Sequence, residues 1–147
     1  MMTTTVFGPS RRTGAPEVGV ATVRRPTHTL LRLDGEIDIA TAPELRTRLL
    51  KALRPGTPLA VIDMGGVSFC GAAGIAVLVD VRHRAIVLGL PLRLTGLRPQ
   101  VARILHLTGL DQGFEIHPTL RAALTGGTEL RRRGARRMRA GHITGVA

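Results

Sequence analysis

Residues 59–64, Leu-Ala-Val-Ile-Asp-Met, form an apolar run that limits the chain to a small set of folds. An apolar stretch of this length without alternation is typical of a β-strand covered on both faces. From residue 72 to residue 88, apolar side chains such as Ile75, Leu78 and Ile86 recur at helical spacing. The glycine-rich residues 65–71 between the two segments are predicted to form a loop. The sequence therefore predicts a central strand that leads into a helix.

Strand and helix patterns alternate along the rest of residues 18–124. A helix is expected to begin at Thr41, as an N-cap whose capping box Glu44 completes, and to end before Pro55. Gly109 is expected to terminate a later helix in the left-handed conformation. The other predicted elements are strands over 18–23 and 29–33, as an edge pair, strands over 90–95 and 114–116, and helices over 99–108 and 119–124. This alternation predicts an α/β fold with a mixed, mainly parallel sheet of about five strands and about four helices.

The 147 residues suit one globular domain with short extensions. We expect the domain to span residues 17–125, because residues 1–16 lack apolar periodicity and are predicted to be disordered. Residues 126–147 are expected to be a basic, flexible tail. The net charge is +11, and residues 125–147 hold six arginines. Such a tail is either simply solvated or makes weak contact with nucleic acid, although three phenylalanines as the only aromatics argue against base stacking.

Several classes of protein are disfavoured. A single cysteine, Cys70, allows no intramolecular disulfide, which favours a reducing compartment. The longest uncharged run, residues 64–79, is 16 residues long, too short for a membrane span, so we expect a cytoplasmic protein. No metal, cofactor or enzymatic activity is expected, since no nucleophile motif is present and the histidines lack metal-ligand spacing. The five histidines are expected to face solvent or to cap helices: His28, His83, His106, His117 and His142.

Two features near the start of the second helix leave alternatives open. Cys70 is either a reactive thiol, activated by the following helix dipole, or a packed small apolar side chain. The sequence Gly71-Ala72-Ala73-Gly74 leaves a helix start without bulky side chains. Such a start favours an anion or an acceptor atom near the free N–H groups, or it merely allows the helix to pack closely on a strand.

Four ordered blocks carry a family resemblance. They are Gly-Glu-Ile-Asp at residues 35–38 with Ala-Pro-Glu-Leu at 42–45, Val-Ile-Asp-Met-Gly-Gly-Val-Ser-Phe at 61–69, Gly-Ile-Ala-Val-Leu at 74–78, and Pro-Gln-Val-Ala-Arg-Ile-Leu at 99–105 with Leu-Thr-Gly-Leu-Asp at 107–111. Together they resemble the STAS domain of anti-sigma factor antagonists, also called anti-anti-sigma factors. The resemblance covers residues 18–124 and implies a STAS-like fold.

The resemblance also implies a docking site and a missing switch. In that family, a serine or threonine within Asp-Ser-Ser/Thr-Gly is phosphorylated by a partner that is both an anti-sigma factor and a histidine-kinase-like ATPase. Gly71-Ala72-Ala73-Gly74 stand at those positions, and the acceptor position falls on Ala73, which has no hydroxyl. We therefore expect Asp38, Gly71, Ala72, Ala73 and Gly74 to contact the partner without phosphorylation at Ala73.

Two further alternatives stay open. Asp38 is either a partner contact or a turn residue whose carboxylate accepts nearby backbone N–H groups. The chain as a whole is expected to be a binding module that docks an anti-sigma factor and thereby releases a sigma factor. The alternative is a degenerate STAS module that senses a small ligand or scaffolds a signalling complex, because the absence of the aspartate and hydroxyls is equally consistent with a loss of kinase docking.

Overall fold

The computed structural model describes residues 3–7 and 17–126, which form one six-stranded sheet with helices on both faces. The strands are β1 (Thr3–Phe7), β2 (Val18–Arg24), β3 (Thr29–Ile37), β4 (Ala60–Cys70), β5 (Leu92–Thr95) and β6 (Glu115–His117). The helices are α1 (Ala42–Ala52), α2 (Ala72–Val87), α3 (Pro99–Leu107) and α4 (Leu120–Thr125), with a 3₁₀ turn at Leu110–Gly113. Strands β1 to β3 are antiparallel, and β3 to β6 are parallel. The predicted α/β class and mixed sheet are confirmed.

The sixth strand comes from residues 3–7, inside the segment predicted to be disordered. Three threonines, a valine and a phenylalanine have high strand propensity, and β2 offers them an edge on which to pair. The prediction of disorder is therefore wrong for residues 3–7, and β2 and β3 are not the edge pair. Residues 8–16 and 127–147 lie outside the described residues, so the flexible tail and its nucleic-acid contact stay predictions.

The two faces of the sheet are covered unequally. Alternate residues of a strand point to opposite faces, so Leu31 and Ile62 face one layer while Leu30 and Val61 face the other. The larger core joins the first face to α1, α2 and α3 through Leu45, Leu49, Leu78, Val81, Val101 and Leu105. On the second face, a small cluster packs Leu30, Leu59 and Val61 against Ala123 of α4.

Two polar residues, Arg93 and His117, are buried beside α4. The Arg93 side chain donates to the Ala123 carbonyl at 2.6 Å and lies 3.1 Å from the Glu115 carboxylate. His117 is 3% exposed, so the expectation that the histidines face solvent or cap helices is wrong for this residue. Burial lowers the pKa of the His117 imidazole, and Glu115 opposes that shift. Tertiary packing of the short strand β6 accounts for this burial, which a single histidine in a sequence does not reveal.

Strand β4 is longer than predicted. The sequence predicts a loop over residues 65–71, yet the strand continues to Cys70 and pairs with β3 as far as Ile37 opposite Cys70, with two irregularities in register. A Cβ on Gly66 would lie 2.9 Å from the Leu33 carbonyl oxygen. The glycine therefore permits a close approach of two strands rather than a turn. This extension brings the end of β4 level with the end of β3.

The other elements lie within a few residues of their predicted positions. Helix α2 is the longest, and Gly109 adopts φ 76° directly after α3, as predicted for a left-handed cap. Within the part of the chain that the structure describes, no helix is long and apolar enough to cross a membrane.

Candidate functional site

The starts of α1 and α2 lie side by side at the carboxyl ends of the adjacent strands β3 and β4. Ile37 ends β3 opposite Cys70, which ends β4, and the Gly71 N–H donates to the Ile37 carbonyl at 3.0 Å. Each strand then leads directly into its helix. Because the two strands are parallel, the pairing brings residues 38–41 and residues 71–74 together. We refer to these two segments as the paired helix starts.

Asp38 fixes the first of these segments. Its Oδ1 accepts the N–H groups of Ala40 at 2.9 Å and Thr41 at 3.0 Å. Its own N–H donates to Thr41 Oγ1 at 2.9 Å, and its carbonyl accepts the Ala42 N–H at 2.9 Å. The carboxylate thus acts as the turn acceptor that one interpretation of the sequence proposed. A contact between Asp38 and a partner stays a prediction.

The predicted capping box at Thr41 is wrong. Thr41 makes no side-chain cap to α1; its hydroxyl donates instead to the Glu36 carbonyl at 2.8 Å. Glu44 does not return to the Thr41 N–H but pairs with Arg48 one turn later, at 2.5 Å. The Asp38 carboxylate accepts the Thr41 N–H in place of the Glu44 carboxylate. The acceptor therefore lies three residues before Thr41 rather than three residues after it.

The second segment has no side-chain cap. Gly71 occupies the N-cap position with extended backbone, and its carbonyl accepts the N–H groups of Gly74 at 3.0 Å and Ile75 at 3.2 Å. Ala72 is exposed and Ala73 is half-buried at the tip of α2. The structure therefore brings together all four residues predicted at this helix start, and it leaves their outer side lined with methyl groups.

Gly74 serves close packing. A Cβ at this position would lie 2.5 Å from Cys70 Sγ and 2.8 Å from Ile37 Cγ2. Both distances are shorter than van der Waals contact, so only glycine lets the first turn of α2 approach the ends of β3 and β4 this closely. The packing interpretation of the small residues therefore holds for Gly74 and in part for Ala73, which is half-buried and packs against the main core, whereas Ala72 leaves the tip open.

Cys70 is the packed cysteine of the two alternatives. Its side chain is fully buried, and burial raises the pKa of the thiol to about 11. Desolvation outweighs the attraction of the helix dipole for a thiolate here.

Sequence reasoning missed two apolar residues beside the paired helix starts. The side chain of Ile39 is 85% exposed in the turn that Asp38 fixes, and Phe69 is 43% exposed next to Gly71. The Phe69 ring would lie 3.3 Å from a Cβ at Gly71, so it borders the α2 tip. Ile39 carries a signal that could have been found, because an isoleucine inside a capping turn belongs to no apolar repeat.

No cluster of three or more His, Cys, Asp or Glu side chains that could hold a metal ion occurs in residues 3–7 and 17–126. What the paired helix starts offer is a small surface with a capped turn, two exposed apolar side chains and an open helix tip. Such a surface suits contact with another protein better than chemistry on a substrate.

The fold and this surface define the chain as a member of the STAS domain family. The family model for the STAS domain matches residues 20–123, which is most of the chain. The expected family is thereby confirmed.

Several similar proteins are anti-sigma factor antagonists. The chain is 33% identical over 99 residues to the anti-sigma-F factor antagonist RsfA of Mycobacterium tuberculosis, a match that covers 65% of this chain and 77% of RsfA. It is 32% identical over 100 residues to RsfB of the same organism, covering 66% and 79%. The crystal structure of an anti-sigma factor antagonist from Mycobacterium paratuberculosis is similar at a TM-score of 0.65, with 29% identity, and covers 74% of this chain and 92% of that one.

Proposed function

We propose that this chain binds an anti-sigma factor of the histidine-kinase-like ATPase type and so releases a sigma factor. The docking surface comprises the paired helix starts together with Ile39 and Phe69. The observation that carries the proposal is the hydrogen bond from the Gly71 N–H to the Ile37 carbonyl, which joins the two segments into one surface. Relatives described as anti-sigma factor antagonists support the choice of partner.

The two exposed apolar side chains give this surface its binding energy. Ile39 projects from a turn that four hydrogen bonds around Asp38 hold in place, so little conformational entropy is lost when it is covered. Phe69 offers a rigid aromatic face beside the helix tip. Truncating either side chain to alanine is expected to weaken docking without unfolding the domain, because both lie outside the core.

We further propose that docking is constitutive. Phosphorylation at a helix tip adds nearly two negative charges and bulk to a docking surface, which dislodges a bound partner. Ala73 stands at the position that the family resemblance assigns to the phosphoacceptor, and its methyl group offers no oxygen for phosphoryl transfer. The off-switch is therefore missing, and the chain either releases sigma without this control or competes with a relative that has it.

The proposal is tested with the purified full chain and the anti-sigma kinase encoded in the same genome. Binding is measured by isothermal titration with and without prior incubation with ATP. We expect equal affinity in both conditions and no phosphate on the chain by intact mass. Phosphate elsewhere on the domain that abolishes binding would refute constitutive docking, and no binding in either condition would refute the partner.

A serine at the helix tip provides the positive control. The substitution Ala73→Ser supplies a hydroxyl, onto which the γ-phosphoryl group of ATP would transfer with release of ADP and the hydroxyl proton. We expect one phosphate on this variant and loss of binding after ATP treatment. The matched control is Ala102→Ser on the exposed side of α3, which should gain no phosphate and keep its affinity.

A further inference from the structure

A cationic groove lies between β2 and α1. It has a volume of about 520 Å³. Four cationic side chains line it, from Arg24 on β2, Arg48 and Lys51 on α1, and Arg54 just after α1. Val20 and Ala52, both buried, form an apolar floor. A concave site of this volume lies in the ordinary range for small-molecule binding.

The positive charge of the groove is not balanced from within. Glu44 is the one carboxylate among the described lining residues, and it pairs with Arg48. The other ion pairs of the described residues involve Arg32, Arg46, Arg93 and two histidines, so none reaches Arg24, Lys51 or Arg54. The carboxyl end of a helix carries only about half a negative charge. Three cations therefore exceed what the end of α1 needs.

Arg24 is held against the end of α1 rather than extended into solvent. Its guanidinium donates to the Ala52 carbonyl at 3.0 Å, which anchors it over the last turn of α1. Burial and the nearby Arg54 both lower the pKa of Arg24, so the positive charge of the guanidinium is less favourable there than in open solvent. An anion between Arg24 and Arg54 would reverse that repulsion.

We propose that the groove binds a small phosphate-bearing anion. The phosphate oxygens lie between Arg24, Lys51 and Arg54, and the rest of the ligand rests on Val20 and Ala52. Guanidinium groups match phosphate oxygens in pairs, and a doubly charged phosphate balances the excess better than a single carboxylate does. The groove is half open, and its volume matches a small ligand better than an acidic segment of a partner protein.

The cationic end of the groove is separate from the docking surface, and Glu44 in the first turn of α1 lines the other end of the groove. Helix α1 has 11 residues, which span about 16 Å at 1.5 Å per residue. Asp38 and Ile39 precede its first turn, while Lys51 and Arg54 lie at and beyond its last turn. Loss of the ligand site therefore leaves the docking surface intact, and each site is tested without the other.

The test titrates inorganic pyrophosphate into the full chain by calorimetry at constant ionic strength. We expect saturable binding that the double variant Lys51→Ala/Arg54→Ala weakens by at least about tenfold. The matched control is Arg103→Ala/Arg121→Ala, which removes the same charge from exposed positions on α3 and α4 and should keep the wild-type affinity. Thermal melting of both variants shows that each is folded.

A second arm identifies the source of the phosphate. Vesicles containing phosphatidic acid are compared with vesicles of phosphatidylcholine alone. The groove is supported as a phosphate site if Lys51→Ala/Arg54→Ala removes the binding and the control double variant does not. Binding of pyrophosphate then indicates a free ligand, and binding of the phosphatidic acid vesicles indicates a lipid headgroup. An acidic peptide is titrated in the same way. The proposal would be overturned by an equal loss of binding in both double variants, by no loss in either, or by binding of the acidic peptide without binding of pyrophosphate.

Discussion

The starts of α1 and α2 are stabilised by different interactions, although both lie at the carboxyl ends of the adjacent strands β3 and β4. At α1, the Asp38 carboxylate accepts two backbone N–H groups and the Thr41 hydroxyl bonds back to β3. At α2, Gly71 provides no side chain, and the fixed geometry comes from the packing of Gly74 against Cys70 and Ile37. The first start is held by hydrogen bonds and the second by close contact.

This difference separates stability from recognition. At the start held by side-chain hydrogen bonds, the polar groups already have partners. The group that remains available for the proposed docking is the exposed side chain of Ile39. A start held by packing from beneath keeps its outer surface open at Ala72. The packed start can therefore change Ala72 without loss of structure, whereas Ala73, the position of the hydroxyl expected in the family, is half-buried against the core. The capped start cannot lose Asp38 in the same way.

The largest expected effect concerns Cys70, beneath the packed start. With the thiol buried and its pKa raised to about 11, alkylation by iodoacetamide at pH 8 should be at least roughly 100-fold slower in the folded chain than in urea. Reaction is followed by intact mass. Comparable rates in the two conditions would mean that α2 does not pack on the end of β4 as described.

The substitution Gly74→Ala tests the packing directly. Alanine is favoured over glycine in a helix by about 1 kcal/mol, yet we expect a net loss of about 1–3 kcal/mol in the free energy of unfolding, because the new methyl group meets Cys70 and Ile37. Urea denaturation measures it. Adding Cys70→Ala should recover part of the loss, and a stabilised single variant would contradict the close contact.

At the capped start, Asp38→Ala and Asp38→Asn form a matched pair. Removal of the acceptor oxygen should cost about 1 kcal/mol of stability, whereas asparagine keeps an oxygen in place and should cost less than half of that. Urea denaturation of both variants gives the comparison. If Asp38→Asn folds normally but loses affinity for the anti-sigma factor, the carboxylate contacts the partner as well as fixing the turn.

The smallest expected effect compares a new carboxylate at each start. Ala72→Asp places negative charge at the uncapped end of α2 and should raise the free energy of unfolding by about 0.5 kcal/mol, an effect that 1 M NaCl removes. Ala40→Asp on the turn before α1 should give no gain, because the Asp38 carboxylate already places negative charge beside that helix start and repels a second one. Equal gains at both positions in thermal melts would erase the distinction between the two.

The elements of the fold were predictable where the pattern is local. The apolar run at residues 59–64 and the helical repeat after residue 72 located β4 and α2 without reference to distant residues. The extension of β4 was not predictable, because Gly66 is required by the Leu33 carbonyl on another strand. Strand β1 was missed for a related reason, since its threonines gain their structure from the edge of β2.

The site was predictable in its residues and less so in their roles. Asp38 and the tip of α2 followed from the family resemblance, but nothing local showed that the Asp38 carboxylate rather than Glu44 would accept the Thr41 N–H. Phe69 has the same sequence signature whether it is buried or half-exposed. Its position depends on where β4 ends, which in turn depends on its pairing with β3.

The strand order of the sheet, β1-β2-β3-β4-β5-β6, is the order of the chain. Each described strand after β1 pairs with the one synthesised before it, so no gap has to be held open for a segment that is still inside the ribosome. The sheet can grow by addition at one edge as translation proceeds. The two helix starts then meet as soon as β4 has emerged, well before the carboxyl-terminal residues exist.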